Sequence, residues 1–186
     1  MTENPRKRLQ IEYVPLSILK RWTKNPKDHD LGAIHVSVND FGFRQPMSVN
    51  QQSGELEAGH GRLDVLQQKF DAKESPPEYI DVDPETGEWL VPVQFFDDDE
   101  TTHMRYAIAD NRLVELGGWD YPALVEDLNF LYENATLDAT GYDVDDLDKL
   151  EKKINPDIGN ISLDDAKDSE SEKETLTTCP KCNFKF

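Results

Sequence analysis

The stretch Glu57-Ala58-Gly59-His60-Gly61-Arg62-Leu63-Asp64 places two glycines around a histidine, with an arginine directly after them. A predicted strand ends just before it, and Leu63, Leu66 and Phe70 recur at the spacing of one helix face. A helix is therefore predicted to begin at Arg62. A glycine turn that opens a helix offers backbone N–H groups to an anion, and a guanidinium adds charge-assisted hydrogen bonds. The alternative is a soft turn followed by a solvated arginine, and this stretch alone leaves both open.

Hydrophobic periodicity predicts strands and helices on both sides of the turn. Apolar residues recur at helical spacing from Leu31 to Phe41, and Gly42 follows where a left-handed C-cap is expected. Acidic residues at 97–100 predict the start of a long helix that runs to about Leu116. The other predicted elements are a strand at 9–14, a helical turn at 15–19, a hairpin over 47–56, a surface insertion at 71–89, a strand at 91–95, and helices near 124–131 and 144–150. This order indicates an α/β (α+β) fold.

The same patterns predict where several single side chains lie. Met104, Ile108 and Asn111 share one face of the long helix, so we expect them to point inward. Trp119 follows two glycines and is expected to anchor a core rather than to stack on a base. His29 is interpreted as a surface or core residue.

The net charge is strongly acidic and unevenly distributed. Lysine and arginine number 20 against 38 aspartate and glutamate residues, which gives a formal charge of −18. Such a field repels phosphate backbones, so DNA binding by this chain alone is doubtful. Basic residues are concentrated between Arg6 and Lys27. No apolar run has the length of a membrane span and no signal peptide is evident, so we expect a soluble cytoplasmic protein without a membrane partner.

The C-terminal end differs in composition from the rest. Residues 156–178 are rich in acidic and small polar side chains, which predicts a disordered, flexible acidic linker. At 179–186, Cys179 and Cys182 form a Cys-Pro-Lys-Cys pair typical of half a zinc knuckle. Tetrahedral Zn²⁺ takes four ligands. The two cysteines therefore either share a Zn²⁺ site with a partner or a histidine, or are a relic of a ribbon.

Three polar clusters together resemble a known superfamily. The clusters are Gly42-Phe43-Arg44-Gln45-Pro46, Gly59-His60-Gly61-Arg62 and Ala109-Asp110-Asn111-Arg112-Leu113. Following a strand and an Asn25-Pro26-Lys27 loop, their order resembles the N-terminal domain of the ParB/sulfiredoxin superfamily. The continuation to Gly118-Trp119-Asp120 is similar to a branch of phages and mobile elements, often associated with DNA methyltransferases, which implies a bacterial or phage-infected host cell. The resemblance implies a small mixed sheet with flanking helices at 9–120, after a basic leader at 1–8 and before a helical extension at 121–155.

The resemblance also implies roles for particular residues at a nucleotide site. Gly42, Gln45 and Pro46 would enclose the base, and Gly59, His60, Gly61 and Arg62 would hold the phosphates. Asp110 and Asn111 would lie near the phosphates, with Asp110 as a hard oxygen ligand for Mg²⁺. Asn25 and Lys27 would close the site from the other side.

Departures from the superfamily narrow the chemistry that is implied. ParB proteins carry Glu-Arg-Arg where this chain has His60-Gly61-Arg62, so the preference for CTP is open. Sulfiredoxins carry a cysteine at the position of His60, and its absence excludes peroxiredoxin repair. The turn is similar to that of the superfamily's free-serine kinases, which favours ATP or ADP and phosphoryl transfer. His60 would then act as a base or a phosphate contact, with Asp110 as the second catalytic candidate.

Several functions remain open at the level of the sequence. The first is a nucleotide-binding protein with Mg²⁺-dependent NTP hydrolysis or phosphoryl transfer in phage or mobile-element DNA metabolism. The second is a nonenzymatic adaptor that binds a protein partner or a second copy of itself. The third is a ParB-like nuclease or DNA-segregation accessory. Structural interpretations also stay open, with His60 as a helix cap, Asp110-Asn111 as a satisfied turn and Gln45-Pro46 as a strand entry.

Overall fold

The computed structural model describes residues 8–155, which form a mixed sheet with five α-helices. The strands are β1 (Glu12–Pro15), β2 (Met47–Asn50), β3 (Leu56–Ala58), β4 (Asp81–Val82) and β5 (Trp89–Phe96). The helices are α1 (Leu31–Phe41), α2 (His60–Asp71), α3 (Glu100–Leu116), α4 (Tyr121–Asn134) and α5 (Val144–Ile154), with a short 3₁₀ helix at Leu16–Ile18. The α/β class predicted from the sequence is confirmed.

The strand β5 is the centre of the sheet, whose order is β1-β5-β2-β3. It pairs antiparallel with β1 and parallel with β2, while β2 and β3 form the predicted antiparallel hairpin. The short β4 pairs antiparallel with the beginning of β5. The predicted surface insertion at 71–89 therefore ends in a small hairpin. Because β3 leads directly into α2, the glycine turn lies at the end of an edge strand.

The main core fills the space between the sheet and α2. It contains large apolar side chains from the sheet, from α2 and from the segments that join them, which are Leu16, Phe43, Met47, Val49, Leu56, Leu63, Leu66, Ile80, Trp89, Val91 and Val93. A separate core joins α4 and α5 and consists of Leu124, Val125, Leu128, Leu137 and Leu147. The cleft described below is bounded by parts of both regions.

Helix ends follow ordinary capping chemistry. Asp30 caps α1 by accepting a hydrogen bond from the backbone N–H of Ala33 at 2.9 Å. The helix ends at Gly42, whose φ of +76° favours glycine, as the sequence predicted. Helix α2 begins at His60, two residues earlier than predicted, because Gly59 adopts a left-handed conformation at the N-cap.

The orientation of α3 differs from the prediction. Met104 and Ile108 are exposed, and the buried residues of this helix are His103 and Ala107. Asn111 is half-buried because it lies four residues beyond Ala107 on the same face. The prediction was wrong for Met104 and Ile108 because it followed apolar periodicity, whereas the inward face carries His103 and Ala107 together with the half-buried Asn111.

Trp119, the question of a membrane span and the two ends of the chain are the remaining subjects of the sequence predictions. Trp119 is 62% exposed, so its interpretation as a core anchor was wrong. No helix among residues 8–155 is long and apolar enough to cross a membrane. The basic leader up to residue 7, the linker at 156–178, Cys179 and Cys182 lie outside the described residues, and those predictions stay predictions.

Candidate functional site

A cleft of about 970 Å³ brings together residues that are far apart in the sequence. Its walls come from α1, the segment after α1, the glycine turn, α3 and the loop between α4 and α5. Eight of the predicted site residues line it, and these are Gly42, Gln45, Gly59, His60, Gly61, Arg62, Asp110 and Asn111. All three polar clusters identified in the sequence therefore contribute to one cavity.

Three other predicted residues do not line this cleft. Pro46 precedes β2 and leads the chain into the sheet. The ammonium of Lys27 forms an ion pair with Glu115 of α3 at 2.6 Å. The side-chain oxygen of Asn25 accepts a hydrogen bond from the backbone N–H of Lys27 at 3.3 Å. Asn25 and Lys27 thus contribute to the loop that packs beside α3 rather than to the cavity wall.

The glycine turn leaves no room for side chains at either glycine. Gly59 has φ +102°, and a Cβ there would lie 2.9 Å from Cγ of Met47. A Cβ at Gly61 would lie 2.6 Å from Cδ1 of Ile34 and 2.9 Å from Cγ of His29. Gly59 provides no side-chain cap for α2. The first N–H groups of this helix belong to residues that line the cleft and have no acceptor within the helix, so they are available to an anion.

Arg62 supplies a positive charge beside these N–H groups. Its guanidinium donates a hydrogen bond to the side-chain oxygen of Gln45, which connects α2 to the segment after α1. Burial lowers the pKa of Arg62, and the nearby carboxylate of Asp110 partly offsets that effect. An arginine remains charged under such conditions. The cleft thus combines a fixed cation with the start of a helix, the two features that bind phosphate groups.

His60 is buried and is held by the backbone of a neighbouring loop. Its Nε2 accepts a hydrogen bond from the backbone N–H of Trp22 at 3.2 Å. Burial, and then the positive charge of Arg21, lower the pKa of His60 to about 4. The imidazole is therefore neutral at pH 7, with its proton on Nδ1. Since Nε2 is engaged, His60 is better placed to donate from Nδ1 than to act as a base.

His29 lies beside His60 and also lines the cleft. The two imidazoles are stacked, with ring centroids 6.5 Å apart. Burial is the largest cause that lowers the pKa of His29. Nothing in its local sequence distinguished it from a surface histidine. Its place in the site follows from contact with Gly61, which only the folded chain reveals.

Asp110 and Asn111 enter the cleft from α3. The side-chain amide of Asn111 donates to the carbonyl of Ala107 at 2.8 Å, which leaves its oxygen as an acceptor. Asp110 is exposed on the cleft and offers one carboxylate. Residues 8–155 contain no group of three or more potential metal-ligating side chains. Asp110 is thus a single carboxylate ligand, and Mg²⁺ held there would need phosphate oxygens and water as its other ligands.

The wall formed by the loop between α4 and α5 was missed in the sequence. Residues 137–143 and Asp146 line the same cleft as the glycine turn. Within this loop, Ala139 has φ +61°, an unfavourable conformation for a residue other than glycine. The hydroxyl of Thr140 donates to the carbonyl of Leu137 at 2.6 Å and so tightens the turn. The sequence predicted only a turn before a helix. It did not indicate that this turn lines the same cavity as Arg62.

Comparisons with known proteins give fold neighbours at low identity. No protein-family model matches the sequence, and no curated protein matches it. One similar solved structure is the C-terminally truncated chromosome-partitioning protein ParB from Caulobacter crescentus, complexed with CTP-γ-S, with 19% identity and a TM-score of 0.47. That match covers 67% of this chain and 63% of the ParB chain. Another is a Pnob8-like ParB-N domain, with 16% identity, a TM-score of 0.37, and coverage of 54% of this chain and 34% of the other.

Proposed function

We propose that the cleft binds a nucleoside di- or triphosphate. The observation that carries this proposal is the meeting of Arg62, the uncapped start of α2 and Asp110 in a single cavity. These groups match the needs of a polyphosphate, because a cation and N–H groups bind its oxygens and a carboxylate completes the shell of its Mg²⁺. The cavity, at about 970 Å³, also has room for a base and a sugar.

Each site residue has a role in this proposal. Arg62 and the N–H groups after Gly59 hold phosphate oxygens, and His60 donates from Nδ1 to the same end of the ligand. Gln45 uses its NH₂ group on the ligand, because Arg62 engages its oxygen. Asp110 holds the Mg²⁺ that accompanies the phosphates. The base then extends toward Gly42 and the wall formed by residues 137–143.

We further propose that any NTP hydrolysis or phosphoryl transfer depends on the Mg²⁺ that Asp110 would hold, and that His60 is not the proton acceptor. The carboxylate of Asp110 is exposed to the cleft, whereas Nε2 of His60 accepts a hydrogen bond from Trp22. A general base needs a free lone pair within reach of the proton that it removes. Bound Mg²⁺ would neutralise charge on the transferred phosphoryl group.

Isothermal titration of the full chain with ATP, ADP and CTP, with and without Mg²⁺, tests this proposal. We expect saturable binding of at least one nucleotide, strengthened by Mg²⁺. Inorganic tripolyphosphate should compete with the nucleotide, because Arg62 and the N–H groups after Gly59 recognise the phosphates. Lack of binding for all three nucleotides at millimolar concentration would reject the proposal.

An exposed apolar surface favours a second candidate function, a protein-interaction adaptor. Leu113, Val114, Leu116 and Trp119 are between 62% and 81% exposed at the end of α3 and just beyond it. Contiguous apolar groups in water are typical of interaction surfaces. A second copy of this chain or a partner protein, such as a methyltransferase of a mobile element, would cover them. Val114→Asp should abolish such an association, measured by light scattering and copurification, without changing nucleotide affinity.

A ParB-like nuclease or segregation accessory remains the third proposal. It predicts nicking of plasmid DNA that disappears in Asp110→Ala. The acidic net charge of −18 opposes binding to DNA, so a partner would have to supply the basic surface.

A further inference from the structure

Helix α3 carries two site residues into the cleft but is attached by few of its own side chains. Among its 17 residues, only His103 and Ala107 are buried. Ion pairs with Lys24 and Lys27 connect the two ends of α3 to the loop before α1. Both pairs are exposed, and exposed ion pairs contribute little to stability. An alanine offers little contact area, and Tyr106, which stacks on Phe96 of β5, is 40% exposed, so His103 is the main buried anchor of this helix.

His103 faces a buried carboxylate on β3. Its Nδ1 lies 3.7 Å from Oε1 of Glu57, and the two residues are 4% and 1% exposed. The side-chain amide of Asn50 donates to the same oxygen at 3.0 Å and to the carbonyl of Asp98 at 2.9 Å. Burying such polar groups costs desolvation that an apolar contact would avoid. A role in fixing the register between β3 and α3 accounts for their presence.

Trp22 connects this polar cluster to the glycine turn. Its indole packs against the imidazole of His103, with ring centroids 4.9 Å apart. Its backbone N–H donates to Nε2 of His60. Glu57 itself stands three residues before His60 in the sequence. His103 therefore contacts both the strand that leads into the turn and the residue that holds the turn.

The spacing along α3 relates His103 to the site. His103, Ala107 and Asn111 are four residues apart and lie on one helix face. Asp110 precedes Asn111, so both cleft residues lie within about two turns of His103. Because a helix of this length moves as a rigid element, a shift at His103 displaces Asp110 and Asn111 relative to Arg62.

We propose that His103 and Glu57 are positioning residues that hold Asp110 and Asn111 against the glycine turn. Neither lines the cleft, so they act through the placement of α3 and not by touching the ligand. This inference rests on the proposed function, because the quantity that the pair sets is the affinity of the cleft for the phosphate end of a nucleotide.

The test replaces His103 in the full chain and measures tripolyphosphate binding by calorimetry. His103→Leu removes the polar imidazole that faces Glu57 at similar volume and should weaken binding about tenfold, the effect typical of supporting residues around a site. His103→Asn retains a polar group near the position of Nδ1, facing Glu57, and should restore most of the affinity. Ile108→Ala, on the exposed face of the same helix, is the matched control and should bind as the wild type does.

A double-mutant cycle separates positioning from general loss of structure. In the His103→Leu background, Asn111→Ala should cost much less affinity than in the wild type, while Arg62→Gln should cost the same in both. Additive losses for His103 and Asn111 would overturn the inference. Should His103→Leu fail to fold, the isosteric change Glu57→Gln takes its place in the cycle.

Hydrogen exchange of the unliganded protein gives a readout that does not need a nucleotide. His103→Leu should accelerate exchange across Glu100–Leu116 and leave the core strand β5 unchanged. Unchanged exchange in α3 would refute the positioning role whatever the wild type binds. If the wild type binds no polyphosphate but α3 exchanges faster in the variant, the proposed function fails while the positioning role stands.

Discussion

His60 gives the sharpest test of the structure, because its burial predicts a large dependence of stability on pH. The pKa of this histidine falls from 6.5 in the unfolded chain to about 4 in the fold. Between these two values the unfolded state binds more protons than the folded state, so stability rises with pH in this window. The contribution is fully present above pH 6.5 and is lost as the pH falls toward 4.

The magnitude follows from proton linkage. With the pKa of His60 at 6.5 unfolded and about 4 folded, lowering the pH from 7 to 5 removes about 2 kcal/mol of unfolding free energy. Burial also lowers the pKa of His29 and raises that of Glu57. These groups contribute to the total pH dependence, so the difference between wild type and a His60 variant isolates the effect.

The assay is urea unfolding at pH 7 and pH 5, followed by tryptophan fluorescence. His60→Gln retains an acceptor for the N–H of Trp22 but does not titrate, so it should lose about 2 kcal/mol less than the wild type on acidification. Equal losses for wild type and His60→Gln would show that His60 is not buried against Trp22.

Further predictions concern the backbone around the cleft. Gly61→Ala should destabilise the fold by about 1–3 kcal/mol, measured by chemical denaturation, because the new Cβ would lie 2.9 Å from Cγ and 3.1 Å from Cβ of His29. Gly118→Ala is the control, since a Cβ there meets nothing within 4 Å, and a similar loss for both would contradict the steric argument. Ala139→Gly should stabilise the fold by about 1 kcal/mol in the same assay, because its φ of +61° suits glycine. A destabilised Ala139→Gly variant would show that the turn is not strained.

Local sequence signals were sufficient for the strand-turn-helix arrangement that forms the site. Gly59 and Gly42 adopt backbone conformations that other residues adopt with difficulty, and Gly61 has no room for a side chain, so the positions of these glycines carry structural information. Alternation at 91–95 identified the central strand because that strand is buried. These features depend on neighbours in sequence or on a single periodicity.

Other features of the site depend on contacts that no local pattern encodes. The inward face of α3 carries His103 and Ala107. A histidine is not predicted to be buried from sequence alone, because its burial depends on the distant residue Glu57 that it faces. The loop between α4 and α5 contains no recognisable ligand-binding motif. It lines the cleft because of where α4 and α5 pack. Trp119 is exposed although its size and hydrophobicity favour a core.

The central claim is that Arg62 binds the phosphates of a nucleotide in this cleft. The most direct measurement compares ATP, ADP and CTP binding by the wild type, Arg62→Gln and Arg105→Gln, using isothermal titration in the presence of Mg²⁺. Arg105 lies on the exposed surface of α3 outside the cleft, so the two variants lose the same charge at different places. The account predicts a loss of at least about tenfold in affinity for Arg62→Gln alone, since a charged hydrogen bond to phosphate is worth about 1.5–3 kcal/mol. Equal affinities for the two variants would contradict it.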